Sequence, residues 1–158
     1  MILEKTHSPD KTLKKGIWKL WNSEYPESIL LEDEAALNRY LAALKNPAHY
    51  FMKDDNEICG WGFAFEREGE TWFAIIVDGK KQGLGIGSQL LKCLQEDFKY
   101  LNGWVIDKDI YFKRDQTPYK SPIGFYLKNG FTKTKISYVS DVLQTIKIQW
   151  KRPDTGNS

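Results

Sequence analysis

Apolar residues recur along this chain with two periods, and the places where one gives way to the other mark its elements. After Ile2 to Glu4, read as a short strand, Leu13, Ile17, Trp18 and Trp21 lie on one stripe of a helical period. Ser8 stands where a cap would, with Pro9 at the first helical position, so a helix is predicted to begin there. The stretch "EDEAALNRYLAALKN" repeats the signal, with acids in its first turn and Leu37, Leu41 and Leu44 at helical spacing. The following "NP" is predicted to end this second helix.

The middle of the chain changes period. "HYFMKDDNEICGWGFAFEREGETWFAIIV" alternates aromatic and aliphatic runs with the polar clusters "KDDNE" and "EREGE", which predicts a three-stranded antiparallel meander. Next, "AIIVDGKKQGLGIGSQLLKCL" runs from a strand through a charged loop and a glycine cluster into a helix bearing Leu90, Leu91, Leu94 and Phe98 on one side. The segment "GWVID" follows as a strand, so strand, helix and strand form a βαβ unit whose strands are parallel. A short helix is predicted from Ser121 and Pro122 to "NG" at Asn129 and Gly130, after which "KTKISYV" and "QTIKIQW" complete the sheet. The predicted class is α+β: a mixed, mostly antiparallel sheet with a central parallel strand pair, flanked by helices. Residues 1–150 are read as a single domain and 151–158 as a flexible polar tail.

Composition narrows the chemistry. With 158 residues, 41% of them apolar and 14% aromatic, the chain can build one substantial core. A net charge of +2 gives no global case for nucleic acid or a membrane surface, and no segment approaches the roughly 20 apolar residues of a bilayer span. The aromatic and basic interleaving of "YFKRDQTPYK" resembles a single-strand groove, but the near-neutral overall charge argues against that use. Two cysteines without a CxxC pair and two scattered histidines predict neither a disulfide nor a metal site. A cytoplasmic location is expected.

The glycine cluster carries the candidate function. A helix N-terminus offers unpaired N–H groups and a partial positive charge, and glycines let an anion approach the backbone closely. Three phosphate-bearing ligands compete. A nucleoside-triphosphate loop requires Gly-Lys-Ser/Thr, which is absent. A dinucleotide fingerprint fits "GLGIGS" followed by Asp107 downstream, but Ser88 stands where its third glycine belongs and "DGKKQ" separates strand from glycines. The third is coenzyme A.

The stretch "VDGKKQGLGIGSQLL" resembles motif A of the GNAT acyl-CoA N-acyltransferases, with Gln82, Gly85 and Gly87 on its pattern, and "GFYLKNGF" at 124–131 is similar to the family's later helix signature. The likeness extends to the order of elements along nearly the whole chain. It implies an N-acetyltransferase domain. The backbone of Gln82, Gly83, Leu84, Gly85, Ile86, Gly87 and Ser88 would hold the pyrophosphate, and the main chain of Ile76 and Val77 would pair with the pantetheine amides. Tyr126, at the family's tyrosine position, would protonate the departing thiolate, which suits a phenol whose pKa lies near that of a thiol.

The implied reaction moves an acetyl group from acetyl-CoA to a primary amine by direct attack in a ternary complex; a non-catalytic sensor that binds CoA or a nucleotide is the alternative. The acceptor is expected to be a small-molecule amine or a protein amino group, with a homodimer as a candidate assembly and no nucleic acid or membrane as partner. Tyr119 occupies the place of a family asparagine, and the strand before the motif lacks an acid at its middle, "WFAII". Asp107 and Glu24 could relay the amine's proton through water, though both are read first as surface carboxylates. The acceptor pocket is expected between "NSEYPES" and the parallel strands, with Trp61, Phe63 and Trp104 as candidate walls that serve equally as core. Lys80 and Lys81 are candidates for attracting phosphate by charge.

Overall fold

The computed structural model describes residues 1–154. In chain order come β1 (Ile2–Thr6), α1 (Lys11–Glu24), a single 3₁₀ turn at Glu27–Ile29 and α2 (Glu34–Ala42). The meander follows as β2 (Lys45–Asp54), β3 (Glu57–Arg67) and β4 (Glu70–Val77). A second 3₁₀ turn at Gly79–Lys81 leads into α3 (Ile86–Asp97) and β5 (Tyr100–Val105). The chain then forms a small hairpin of β6 (Tyr111–Phe112) and β7 (Pro118–Tyr119), the short α4 (Ile123–Lys128), and the closing pair β8 (Thr132–Val139) and β9 (Gln144–Lys151).

Seven strands make one sheet in the order β1-β2-β3-β4-β5-β9-β8, and every pairing is antiparallel except β4 with β5. The predicted parallel pair is therefore central. Period-2 alternation sends side chains to two core layers. Tyr50 and Met52 meet α3 and α4 on one face, while Phe51, Trp61 and Phe63 meet α1 and α2 on the other. Leu90, Leu91 and Leu94 of α3 are wholly buried, each contributing roughly 2 kcal/mol of apolar burial. α3 lies so close to β3 that a Cβ at Gly60 would come within 2.6 Å of Ile86. Any larger residue there would lift the helix off the sheet.

Several expectations are corrected. α1 starts at Lys11 with Asp10 as its cap, accepting from the Leu13 N–H at 2.9 Å, whereas Ser8 instead exchanges hydrogen bonds with Thr6. α2 stops at Ala42, before Leu44, and "NP" falls inside β2, where a register irregularity between Lys45 and Ala48 accommodates the proline. The hairpin of β6 and β7 has no counterpart in the predicted elements. β9 includes Lys151, and Arg152 donates to the carbonyls of Gln95, Glu96 and Phe98 at the end of α3, so these two residues belong to ordered structure where a tail was expected. Residues 155–158 of that predicted tail lie outside the described residues. No helix among the described residues is long and apolar enough to cross a membrane.

Candidate active site

The parallel pair is joined only briefly. Its register is confined to Trp72↔Asn102, and from Phe73 onward β4 pairs only with β3 on its other side, Trp61↔Ile76 and Gly60↔Val77 among the partners. β4 and β5 therefore part toward their C-terminal ends and leave a fork. One edge of β4 offers main-chain donors and acceptors there, at Ile76 and Val77. The side chain of Ile76 is buried beneath α1 and α2, whereas Val77 packs against the layer of α3 and α4.

α3 begins at the mouth of this fork. Asp78 closes the intervening turn by accepting from the Lys80 N–H at 2.9 Å, and Lys81 pairs with Asp54 at 3.0 Å. Gly83 and Gly85 both have positive φ, +86° and +76°, and a Cβ on either would meet nothing within 4 Å. The first of these glycines turns the chain, and the second is the helix cap, in a left-handed conformation that an L side chain strains to adopt. Gln89 donates to the Gly85 carbonyl to start the helix, and no side chain caps the N–H groups of Ile86, Gly87 and Ser88. These donors could seat an anion in the open space above Gly83 and Gly85. α1 and α2 differ, because Asp10 and Asp33 fill the equivalent places with carboxylates. Within the seat the side chains diverge: Ile86 is buried in the core, while Leu84 is exposed.

α4 closes the fork from the side. Ser121 anchors it by donating to the Ile106 carbonyl beyond β5 and accepting from the Ile123 N–H. A Cβ at Gly87 would lie 3.6 Å from the Phe125 ring and 3.7 Å from Val77, so α3, β4 and α4 meet at that residue. Tyr126 is buried, with its ring edge-on to Phe73 at 5.5 Å, and Phe73 in turn lies over Gly103 of β5. Its hydroxyl makes no hydrogen bond among the described residues, which contain no fully enclosed side-chain polar atom lacking a partner. The oxygen therefore keeps some contact with solvent. Burial, reinforced by the nearby Tyr119 hydroxyl, raises this phenol well above its ordinary range, so it stays protonated at neutral pH. Burial pushes Tyr119 up to about 12, and Tyr25 is raised by burial and then by the hydroxyls of Tyr40, Tyr119 and Tyr126.

The remaining candidates separate. Trp61 and Phe63 are core residues stacked at 4.3 Å, not pocket walls; Trp104 is half-buried and stacks on Trp72 at 5.3 Å. Asp107 is paired with Lys133 at 3.3 Å. Glu24, at the end of α1, lies beside Gly79 and accepts from Lys113 at 2.9 Å. Lys113 lies within "YFKRDQTPYK", but 89 residues separate it from Glu24 and no local spacing betrays their contact. No group of three or more His, Cys, Asp or Glu among the described residues could hold a metal ion.

An uncapped helix N-terminus thus lies beside a parallel pair that parts toward its C-terminal ends, with α4 and its buried Tyr126 packed alongside. The pattern that defines the acetyltransferase (GNAT) domain matches residues 46–133, more than half of the chain. The protein belongs to the GNAT acetyltransferase family. No curated protein matches the sequence closely enough to count as a relative. Similar solved structures include an aminoglycoside 6'-N-acetyltransferase complexed with coenzyme A, at TM-score 0.72 and 16% identity, covering 98% of this chain and 100% of that one. The aminoglycoside 6'-N-acetyltransferase from Enterococcus faecium matches at TM-score 0.70 and 16% identity, again covering 98% of this chain and 100% of its own. A ribosomal-protein-alanine N-acetyltransferase from Brucella melitensis matches at TM-score 0.67 and 15% identity, over 94% and 99%. At such identities the likeness establishes the fold, which is the expected α+β class.

Proposed function

We propose that this protein transfers an acetyl group from acetyl-CoA to a primary amine by direct attack in a ternary complex. The observation that carries the reading is the uncapped start of α3, where the N–H groups of Ile86, Gly87 and Ser88 face open space below the αL glycine cap. A pyrophosphate satisfies such donors and complements the helix dipole, with the backbone from Gln82 to Ser88 as its cradle. The unpaired edge of β4 at Ile76 and Val77 suits the two amides of the pantetheine arm, which would enter the fork as an added strand. The family membership supports the same assignment.

The thioester would then lie in the fork within reach of Tyr126. As the amine nitrogen attacks, the N–C bond forms and the C–S bond breaks. The sulfur leaves with a proton from the Tyr126 hydroxyl, and the amine loses its own proton to solvent. Burial keeps the hydroxyl protonated, so its proton is present when the sulfur departs. A single domain that runs through β9, a cytoplasmic location and an acceptor that is either a small amine or a protein amino group complete the proposal. A sensor that binds CoA without turning it over is the second reading, favoured by the absence of a carboxylate at the middle of β4.

The test is to measure CoA release from acetyl-CoA over a panel of amines, beside calorimetry with acetyl-CoA, desulfo-CoA and NADH. Binding of both coenzyme forms with turnover of an amine is expected. Tight NADH binding without acetyl-CoA binding would overturn the reading, and CoA binding without turnover on any amine would favour the sensor.

A further inference from the structure

Six ion pairs occur among the described residues, and in only one are both side chains less than a quarter exposed: Lys113 with Glu24, at 21% and 13%. Each of the others leaves at least one partner more than a third exposed, where such pairs contribute little. The Glu24 carboxylate sits against the backbone at the mouth of the fork, its Oε1 3.1 Å from where a Cβ on Gly79 would be and Lys113 Nζ 3.4 Å from the same point. Gly79 is two residues beyond Val77, the last residue of β4. The pair is held from both sides. Pro26 bridges to Lys113 through the backbone, and Gln116 donates to Glu27 at 2.9 Å, so the α1–α2 connection and the β6–β7 hairpin are fastened together over the cleft.

On the acetyl-transfer reading above, we propose that Glu24 is the seat of the acceptor's ammonium group and that Lys113 fills that seat in the free enzyme. A carboxylate this enclosed is costly to leave unpaired, so an entering group can displace Lys113 only by replacing its charge. Ammonium can exchange for ammonium, and a neutral or anionic acceptor would strand Glu24. The occupant also indicates shape. The lysine side chain is n-butylammonium on a tether, so the seat takes a primary ammonium at the end of an unbranched methylene arm. The acceptor class is thus an alkylammonium of lysine-like or polyamine-like form, and the ion pair is a built-in competitor that sets its apparent affinity.

The experiment titrates n-butylammonium, with 1-butanol as the uncharged control, into the free protein and the CoA-loaded protein, following binding by saturation-transfer NMR. Lys113→Met keeps the arm and removes the charge; it is expected to tighten n-butylammonium at least tenfold and leave 1-butanol unchanged. Glu24→Gln should abolish the binding, and Lys113→Arg, which keeps the pair, should resemble the wild type. Lys113→Gln gives the same reading if Lys113→Met folds poorly. An affinity in the Lys113 variants no tighter than wild type, an equal gain for 1-butanol, or no binding in any variant would each overturn the proposal. Failure of CoA itself to bind counts against the acetyl-transfer reading instead, since the amine titration is read with and without it.

Discussion

The helices on the two faces of the sheet start differently: α1 and α2 carry a carboxylate at the cap, and α3 carries a glycine. On the face covered by α1 and α2, Asp10 and Asp33 cap the helices, and Asn22 exchanges hydrogen bonds with Leu31. Trp21 Nε1 donates to the Ile29 carbonyl, and buried His49 accepts from Trp61 Nε1 at 3.0 Å. On the face covered by α3 and α4, two groups are left open at one end. The N-terminus of α3 has no side-chain cap, and the Tyr126 hydroxyl has no partner among the described residues. An uncapped helix start and a phenol without a hydrogen-bond partner at one end of this face are the features on which the coenzyme reading rests. The α1 and α2 face is where stability should respond to mutation, and the α3 and α4 end is where activity should.

The largest contrast is expected at Tyr126. Phenylalanine keeps the ring among Phe73, Phe125 and Phe131 and removes an oxygen that holds no hydrogen bond among the described residues, so stability should change by less than about 1 kcal/mol. Turnover should fall roughly a hundredfold or more with acetyl-CoA binding unchanged, as steady-state kinetics and calorimetry would show. Turnover near normal in a folded Tyr126→Phe would remove the hydroxyl from the chemistry.

On the other face, burial, with the charge of nearby His7, lowers the His49 pKa to about 4. The unfolded chain then binds more protons than the folded one between pH 6.5 and 4, so stability is full above pH 6.5 and is lost as pH falls through that window. Urea denaturation should show a loss of about 2 kcal/mol between pH 7.5 and 5.0, absent in His49→Gln, whose amide oxygen can still accept from Trp61. A variant as acid-sensitive as the wild type would place the effect elsewhere. Smaller still, Asp10→Ala should remove about 1 kcal/mol of stability by uncapping α1, with acetyl-CoA affinity untouched. The smallest effect concerns Asp107, which pairs with the half-exposed Lys133. Turnover should rise with pH as the amine deprotonates, and Asp107→Asn should alter it less than about threefold; a loss near a hundredfold would instead mark a dedicated base.

Much of this contrast was legible in the sequence, because local patterns write it. The Leu90, Leu91 and Leu94 stripe, the glycines at 83, 85 and 87 and the two turn clusters of the meander each act over a few residues, and each folds as read. The errors arise where neighbours compete or partners are remote. Ser8 and Asp10 are both good caps two residues apart, and the carboxylate at Asp10 reaches the Leu13 N–H while Ser8 is engaged with Thr6. Pro47 looked like a helix stop because its accommodation in β2 depends on a strand irregularity that no local signal announces. β6 and β7 are two residues each, too short to show alternation. The Glu24 and Lys113 pair and the open Tyr126 hydroxyl are products of tertiary assembly. They are the parts of the site that composition and spacing cannot convey.

The central claim is that the free N–H groups of α3 are held open for the coenzyme's phosphates, and Gly87→Asp tests it most directly. The Cβ fits, with contacts of 3.6 and 3.7 Å to Phe125 and Val77, and a carboxylate in the first turn complements the helix dipole as Asp10 and Asp33 do for α1 and α2. Calorimetric titration of acetyl-CoA into wild type and variant, with their melting temperatures measured in parallel, should give a variant at least as stable as wild type that binds more than about a hundredfold more weakly. Undiminished acetyl-CoA binding in a folded Gly87→Asp protein would contradict the account.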